Sequence, residues 1–562
     1  MNKKWELCNV DEKLVRKVSE KYDISEVLAT VLVNRGIVDT GEVGVFLNPT
    51  RKDFHDPYLM PDMDKAVERI IKAIENKEKV IIYGDYDVDG ITSTMVLKKF
   101  LDEHGLTVGY KIPNRLDEGY GLIMTAIKEI ADQGYHLIIT VDCGISGVEE
   151  IKYAYELGME VIVTDHHETP AEIPEAVACI DCKRKDNKYP FKNLAGVGVV
   201  FKLIQALSMR LNLEEKEYLK YLDIVCIGTI SDIVPLVDEN RVIAKLGLKL
   251  VTQTKNPGLY SLLNSVGFKE ISSNTISFGI APRINACGRM GHENEAVNLF
   301  LTNDLEEAKE ITEVLNKYNK ERQEIERIIF EEAISQIEKN HLDRDDVIVV
   351  GSENWHHGVI GIVASKITDL YYKPTILVCF EDGEAKGSGR SVAGFDLHDA
   401  LCKCDDILNK YGGHEMAVGL SFDIANFDAV KERINSIAKE NHIDELNPII
   451  KIDKEITAND IKIEVAESLR LLEPFGEANK TPLFLYKNLK IDSIRALSEG
   501  KHVKLTLKDD RTIIQAIGFN LGHFSNEYLI GNKVDIVGNL EINEFNGNKI
   551  VQINLKDMRR VI

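Results

Sequence analysis

The sequence predicts a multidomain α/β protein whose first large domain is built on a buried parallel sheet. Three short apolar segments, VIIYGD from Val80, HLIITVDCG from His136 and EVIVTDHHE from Glu160, alternate with helix-like segments. Continuous apolar strands that alternate with amphipathic helices are typical of parallel sheets covered on both faces. At 562 residues the chain is also too long for one hydrophobic core, so we expect several domains.

Residues 304–340 contain neither glycine nor proline, and their apolar residues recur at helical spacing. This pattern predicts one long connecting helix. The segments VIVVG, GVIGIVASKITDLY and PTILVCF, which follow it, predict a second α/β domain.

After about residue 450 the pattern turns to β-strands, in HVKLTLK, TIIQAIGF, VDIVGNLEI and KIVQINL. Asn546-Gly547 between the last two segments predicts a hairpin, because this pair accepts the positive φ angles of a tight turn. We expect a small antiparallel barrel, OB-like, of the kind that binds single-stranded nucleic acid.

These patterns divide the chain into five segments. They are an N-terminal extension (1–60), the parallel-sheet catalytic domain (61–303), the connecting helix (304–340), the second α/β domain (341–449) and the OB-like nucleic-acid-binding domain (450–562).

Composition is typical of a globular protein, with 44% hydrophobic and 28% charged residues. We find no apolar run near the ~20 residues that cross a bilayer, and the N-terminus has no signal-peptide pattern. We therefore expect a cytoplasmic protein with no membrane contact. Among nine cysteines only Cys179 and Cys182 have CxxC spacing, without a matching second pair, so reduced thiols are favoured over a zinc site.

The net charge of −22 argues against generic nucleic-acid binding, since phosphate backbones favour basic surfaces. The charge is uneven, however, because residues 480–562 carry a net charge of +4. An acidic body with a mildly basic tail is consistent with a protein that binds metals with aspartates and contacts phosphates locally.

Carboxylates follow three strands of the predicted parallel sheet. Asp85 and Asp87 lie in DYDVDG, Asp142 in VDCG, and Asp165 in DHH. Ligands of open parallel sheets collect at the carboxyl ends of the strands, so we expect these acids to converge. Unneutralised carboxylates would repel one another, and oxygen ligands suit Mg²⁺ or Mn²⁺.

Two further residues join this prediction. His166 adds an imidazole, which favours Mn²⁺, and Asp232 in SDIVPL follows an apolar helix-like run. A calcium loop is excluded, because Val96 stands where that loop needs its twelfth-position glutamate. Asp142 and Asp165 also fit helix N-caps, an alternative that applies to each residue singly.

The motifs DYDVDG, VDCG, DHH and SDIVPL, in that order, resemble the DHH phosphoesterase superfamily. HHGVIGIVASK, GSGRSVAGFDL, YGGHEMAVG and APRINACGRM extend the resemblance to its RecJ branch over nearly the whole chain. The resemblance implies a metal-dependent exonuclease of single-stranded DNA, acting 5′ to 3′ in DNA repair and recombination and releasing mononucleotides.

The resemblance also implies roles for single residues. The two metal ions, Mn²⁺ or Mg²⁺, would be held by Asp85, Asp87, Asp142, His166 and Asp232, with Asp87 and Asp142 shared between them. Asp165 would orient the neighbouring imidazole. For His167, contact with phosphate and assistance to the leaving group both stay open. Some members carry a histidine just upstream of the first aspartate, where Tyr83 and Gly84 stand here, so the ligand set of the second metal also stays open.

In RecJ-type enzymes, arginines and small polar groups hold the 5′ end and the backbone. The matching residues are Arg115, Arg283, Arg289, Ser388, Arg390 and His414. An arginine suits this role, because its planar guanidinium donates two hydrogen bonds to one phosphate. A lone arginine would instead be interpreted as part of a surface salt bridge.

The predicted mechanism is in-line hydrolysis by a metal-activated water, under a second domain that leaves a channel too narrow for a duplex. A single-strand-binding protein and a helicase are the partners that the resemblance implies, with no docking motif to locate them. Two alternatives remain: a DHH enzyme for small phosphates, which usually lacks a terminal barrel, and a scaffold without activity, which would have lost its metal-binding acids.

Overall fold

The computed structural model describes residues 3–114, 119, 121–268, 270–381, 383–443, 446–509, 512–545 and 547–561. Contacts divide the chain into two compact units. The first unit contains Met1–Phe54, Ile233–Leu246 and Ile449–Ile562, and the second contains His55–Asp232 and Gly247–Pro448. The five linear segments predicted above stay a prediction. No helix of the described residues is both long enough and apolar enough to cross a membrane.

Helices and strands follow one another along the whole chain. The first part contains β1 (Lys4–Leu7), α1 (Glu12–Tyr22), α2 (Glu26–Asn34), α3 (Thr40–Leu47), α4 (Met63–Asn76), β2 (Val80–Gly84), α5 (Val88–Glu103), β3 (Val108–Lys111), α6 (Met124–Asp132), β4 (Leu137–Val141), α7 (Val148–Glu156), β5 (Glu160–Thr164) and β6 (Ala178–Ile180). A helical part contains α8 (Gly196–Arg210), α9 (Lys216–Leu219), α10 (Leu222–Ser231), α11 (Asp238–Val251), α12 (Pro257–Val266), α13 (Ala281–Arg289), α14 (Glu293–Leu301) and α15 (Leu305–Lys339). The last part contains β7 (Ile348–Ser352), α16 (His357–Tyr371), β8 (Thr375–Glu381), β9 (Glu384–Arg390), α17 (Leu397–Cys402), β10 (Lys410–His414), β11 (Ala417–Asp423), α18 (Phe427–Glu440), β12 (Ile449–Ile452), β13 (Lys454–Glu455), α19 (Ile463–Leu469), β14 (Phe484–Leu497), β15 (His502–Lys508), β16 (Ile513–Gly518), α20 (Phe524–Glu527), β17 (Lys533–Phe545) and β18 (Asn548–Arg560).

The parallel sheet predicted in the second unit is confirmed, with strand order β3-β2-β4-β5-β6. Strands β2 and β4 are buried along their whole length, as their continuous apolar sequences require. In the register of the sheet Gly84 lies beside Val141, and Val141 lies beside Thr164. The next residue of each strand is an aspartate, so three acids leave the sheet at the same level of one edge.

The long connecting helix is confirmed as α15, which is 35 residues long. The second sheet of this unit has the order β10-β11-β9-β8-β7. Its β7 and β8 are parallel and its other neighbours antiparallel, so the predicted second α/β domain has a mixed sheet.

The C-terminal strands of the first unit form the predicted barrel. Their order is β13-β14-β15-β16-β18-β17, and a pairing of β14 with β17 closes the cylinder. The hairpin between β17 and β18 is present, with Phe545 opposite Asn548, whereas Asn546 of its turn lies outside the described residues. The barrel is antiparallel at its other pairings, whereas β16 runs parallel to β18 and β13 runs parallel to β14.

The N-terminal helices share one hydrophobic core with the barrel. Val27, Leu28 and Leu32 of α2 are buried in the same cluster as Leu472 and Phe484. Met1–Phe54, which fall within the predicted N-terminal extension (1–60), belong to the compact first unit.

Arg241 of α11 ties three segments of the first unit together. Its side chain is only 1% exposed, and its guanidinium lies 3.6 Å from the centre of the Phe46 ring. The same guanidinium donates hydrogen bonds of 2.6–3.5 Å to the backbone carbonyl oxygens of Phe46, Leu471, Leu472, Glu473 and Pro474. The buried guanidinium thus gives each carbonyl a hydrogen-bond donor in place of the water that the carbonyl loses on folding.

We predict that Arg241→Met destabilises the first unit by about 3 kcal/mol or more, because several buried carbonyls lose their donor. Urea unfolding followed by Trp5 fluorescence in a Trp355→Phe background measures this loss, as Trp5 is then the one tryptophan of the chain. The control is Lys487→Met, which removes a half-exposed salt bridge to Glu455 and should cost less than about 1 kcal/mol. Equal losses in both variants would contradict the role given to Arg241.

Candidate metal centre

The carboxyl edge of the parallel sheet collects the acids that the sequence predicted. Asp85 follows β2, Asp142 follows β4, and Asp165 follows β5, while Asp87 caps the helix after β2. Asp232 comes to the same place from the end of α10. Side chains distant in the sequence therefore form one cluster, since parallel strands bring their ends together.

Three overlapping groups of side chains have ligand atoms within 4.8 Å of one another. The groups are Asp85, Asp87 and Asp142; Asp89, His166 and Asp232; and Asp142, His166 and His167. The first two groups are joined through His166, whose Nε2 lies 3.1 Å from Asp142 Oδ1 and 3.6 Å from Asp232 Oδ2. The arrangement thus offers two adjacent positions for cations.

Asp87 acts as the N-cap of α5. Its Oδ1 accepts hydrogen bonds from the backbone N–H groups of Asp89 at 2.8 Å and Gly90 at 3.1 Å. A carboxylate has about four lone-pair positions, so capping leaves oxygen lone pairs for a cation. Because the cap fixes the Asp87 side chain, the two roles support each other.

Asp89 is the site residue that the sequence reasoning missed. Its side chain is buried, with Oδ2 accepting from Gly196 N at 2.6 Å and Oδ1 from Val197 N at 2.8 Å. The carboxylate therefore also joins α5 to the N-terminus of α8, where a negative charge is favoured. The signal was present in DYDVDG, which holds a third acid in alternation with the first two.

Asp142 lies in the left-handed region of the backbone, with φ near +60°. This conformation is uncommon for a residue with a side chain, although aspartate tolerates it better than most. The backbone N–H of Asp142 donates to Thr164 O at 3.0 Å, which keeps the residue on the edge of the sheet. Asp142 is not the N-cap of α7, which begins after Gly147, so the capping alternative does not apply to it.

Burial and the charges of neighbouring acids raise the pKa values of three carboxyls of the cluster. Burial, followed by the charges of Asp89 and Asp87, raises the pKa of Asp142 well above its ordinary value and that of Asp232 to about 9. Burial and the charge of Asp87 raise the pKa of Asp89 to about 7. These carboxyls keep their protons near neutral pH unless another positive charge takes the place of those protons.

The two histidines of DHH differ in their electrostatics. Burial, with the neighbouring His167, lowers the pKa of His166 to about 3, so its imidazole is neutral and has a lone pair for a metal. Burial opposes the charged form of His167, yet the pKa of this histidine is raised, because its hydrogen bond to Asp165 outweighs that effect. Burial likewise opposes the charged form of Asp165, and the same bond lowers the pKa of that carboxyl.

Asp165 contacts a different ring from the one predicted. Its Oδ1 lies 2.7 Å from Nδ1 of His167, whereas toward His166 it accepts only the backbone N–H, also at 2.7 Å. Its Oδ2 accepts the backbone N–H of Ile145 at 2.9 Å, which fixes the loop after β4. The prediction that Asp165 orients the His166 imidazole was wrong, because the side chain is directed to His167 instead.

The residues fit a pair of divalent cations. Hard carboxylate oxygens with one neutral imidazole are the donor set of Mg²⁺ and Mn²⁺ sites. Burial and neighbouring aspartates raise the pKa values of Asp142 and Asp232, and the positive charge of such ions would offset that repulsion.

The residues predicted to bind the substrate lie in two places. Ser388 and Arg390 are adjacent on β9, with Arg390 Nη1 3.3 Å from Ser388 Oγ, and His414 is in register with Ala417, which pairs with Arg390. Arg289, on α13, donates to Gly358 O at 2.9 Å.

The other two predicted arginines are Arg283 and Arg115. Arg283 is already engaged, because its Nε donates to Asn316 Oδ1 and its Nη1 to Gly279 O, both at 2.6 Å. Arg115 lies outside the described residues.

Comparison with known families assigns three parts of the chain. Residues 79–229 match the DHH family, N-terminal domain, residues 344–440 match the DHHA1 domain, and residues 452–557 match the RecJ OB domain.

Known proteins match over nearly the whole chain. The single-stranded-DNA-specific exonuclease RecJ of Bacillus subtilis is 40% identical over 560 residues, which cover 99% of this chain and 70% of the relative. The crystal structure of RecJ from Thermus thermophilus in complex with Mn²⁺ has a TM-score of 0.87 at 30% identity, covering 100% of this chain and 80% of that one. Its complex with Mg²⁺ has a TM-score of 0.81 at 28% identity, with coverages of 100% and 79%. The metal ions of these two structures are the ones that the donor set favours, and the chain belongs to the RecJ family of metal-dependent, single-stranded-DNA-specific exonucleases.

Proposed function

We propose that this protein hydrolyses single-stranded DNA stepwise from its 5′ end and releases mononucleotides, with two divalent metal ions at the carboxyl edge of the parallel sheet. The observation that carries the proposal is the convergence of the ligand atoms of Asp85, Asp87 and Asp142 with those of Asp89, His166 and Asp232. A cluster of this charge serves neither folding nor packing by itself.

Asp85, Asp87 and Asp142 would hold one cation, and His166 and Asp232, with Asp142 3.1 Å from His166 Nε2, would hold the other. When bound, the two cations supply a nucleophile near neutral pH and neutralise the charge that develops on the phosphate. The protein's own part is to hold these ligands in place: Asp87 through its capping bonds, and Asp232 at the end of the buried helix α10. Asp89 has its ligand atom within 4.8 Å of those of His166 and Asp232, and its carboxylate keeps α8 against α5.

His167 is placed to act on the substrate. Its Nδ1 is held by Asp165 and its side chain is 45% exposed, so Nε2 is directed by a fixed partner while the ring stays accessible. We propose that it donates a hydrogen bond or a proton to a phosphate or leaving-group oxygen, as its raised pKa favours.

For the 5′ end and the backbone we propose Ser388, Arg390, Arg289 and His414. The support is chemical and positional, since guanidinium groups bind phosphate oxygens and these residues lie on elements that meet at α16 or in adjacent strands. Arg283 has a supporting role in this proposal, because its guanidinium already bonds Asn316.

The two alternative functions are less favoured. The terminal barrel argues against an enzyme for small phosphates, and the intact acidic cluster argues against an inactive scaffold. The single-strand-binding protein and the helicase stay predictions. A cytoplasmic location also stays a prediction, consistent with the small number of cysteines, nine in 562 residues.

Replacing one metal ligand should abolish hydrolysis. We predict that Asp87→Asn lowers the rate by about a hundred-fold or more, since each metal ion contributes several kcal/mol of charge stabilisation. The assay is release of nucleotides from a single-stranded oligonucleotide with Mn²⁺. Asp132→Asn removes an exposed acid on α6 and is the matched control, expected to keep full activity. Full activity of Asp87→Asn would remove that residue from the site.

The direction and the strand preference have their own test. End-labelled oligonucleotides, single-stranded or in a blunt duplex, should show rapid release of a 5′ label from the single strand and little release from the duplex. A 3′ label should stay on long products until late in the reaction. Equal cleavage of both substrates, or early release of the 3′ label, would contradict the proposal.

Stability should depend on pH in a way that metal reverses. Asp89 and Asp232 have pKa values of about 7 and 9, above those of an unfolded chain, so folding favours their protonated forms. The stability they contribute is present at low pH and is lost as pH rises through these values. In EDTA the melting temperature should therefore fall from pH 6 to 8.5.

With saturating Mg²⁺ the deprotonated acids are ligated, so the metal-induced rise in melting temperature should grow by at least about 3 °C over the same range. Asp232→Asn is the control, because it removes one of these carboxyls and should flatten the dependence. Parallel curves with and without Mg²⁺ would show that these acids do not meet a cation.

A further inference from the structure

Helix α13 lies against the loop that carries Asp85 and Asp87. The carboxamide oxygen of Asn285, on α13, accepts the backbone N–H of Val88 at 3.2 Å. Val88 is the first residue of α5, and Asp87 is its N-cap. A side chain 197 residues away thus holds the backbone on which these acids stand.

A second contact on α13 lies next to the first. A Cβ at Gly288 would be 2.7 Å from the carbonyl oxygen of Tyr86, closer than real Cβ atoms approach. Tyr86 lies between Asp85 and Asp87, so the backbone of α13 packs directly against the loop that carries these two acids. Glycine at this position is what permits the approach.

The C-terminal end of α13 meets the N-terminus of α16 in the second domain. Arg289 Nη1 donates to Gly358 O at 2.9 Å, and a Cβ at Gly358 would be 2.7 Å from Arg289 O. One turn further along α16, a Cβ at Gly361 would be 2.9 Å from Ser388 Oγ. Helix α13 therefore connects the metal-binding loop with the helix that lies against Ser388.

We propose that Asn285 and Gly288 are positioning residues that hold the Asp85–Asp87 loop for metal binding, an inference that rests on the proposed function of the acidic cluster. The physical reason is repulsion, because like-charged carboxylates on an unsupported loop would move apart. The bond to Asn285 and the close packing at Gly288 oppose that movement, so ligand positions are set before the cation arrives.

The test measures Mn²⁺ binding directly, by the electron paramagnetic resonance signal of free Mn²⁺ in titrations of the purified full-length chain. Asn285→Leu removes the acceptor oxygen, and Gly288→Ala crowds Tyr86. Each should weaken Mn²⁺ binding by about ten-fold or more, the size of effect seen when groups that orient metal ligands are removed. Asn285→Asp keeps an acceptor for Val88 N–H and should stay within about threefold of the wild type.

Asn298→Leu is the matched control, because this exposed asparagine of α14 bonds Tyr110 OH and no part of the cluster. Melting temperatures in EDTA should be equal for Asn285→Leu, Asn298→Leu and the wild type, which separates lost positioning from lost folding. Mn²⁺ affinity unchanged in both Asn285→Leu and Gly288→Ala, or weakened equally in Asn298→Leu, would overturn the inference. Asp87→Asn separates a failure of this inference from a failure of the proposed function. If it too leaves Mn²⁺ affinity unchanged, the proposed metal site itself is wrong.

Discussion

Repulsion among buried carboxylates is the constraint on which the rest of this structure depends. Asp85, Asp87, Asp89, Asp142 and Asp232 lie together at one edge of a parallel sheet, and burial of Asp85, Asp89 and Asp142 weakens the screening of their charges by water. Folding alone would favour separating these acids or protonating them, as the raised pKa values of Asp142 and Asp232 show. Keeping these acids together opposes folding, and bound cations would offset that repulsion.

Several structural features oppose this repulsion. The Asp87 carboxylate is fixed by the first amides of α5, and that of Asp89 by the first amides of α8. Each helix N-terminus supplies partial positive charge, so the acids are stabilised singly before any metal binds. Helix capping and metal binding were weighed as alternatives for single aspartates, yet one carboxylate has enough lone pairs for both. For Asp87 the structure shows the capping role, and the ligand role is compatible with it.

The proposed phosphate-binding residues lie on other elements than the acidic cluster. Ser388 and Arg390 lie on a mixed sheet next to α16, and α16 in turn contacts α13 beside the metal-binding loop. Metal ligands and phosphate-binding candidates thus belong to one compact unit, which suits a reaction needing both in register. The closed barrel belongs to the other unit, with the N-terminal helices in its core.

The sequence by itself determined the elements and the order of the acids. Continuous apolar runs predicted β2, β4 and β5, because a strand buried on both faces is apolar along its whole length. Apolar residues at helical spacing, without glycine or proline, predicted α15, because a helix that packs along one stripe repeats its apolar residues with the helical period. Only the tertiary structure decided which partners the polar groups find. Local patterns did not show that Asp165 bonds His167 or that β16 pairs parallel to β18. Nor did they show that the charged residues Arg322 and Glu326 of α15 are buried, where Glu326 pairs with both Arg322 and Lys366 of α16. Contacts between segments that are distant in the chain depend on how the chain folds, so a local sequence pattern does not predict them.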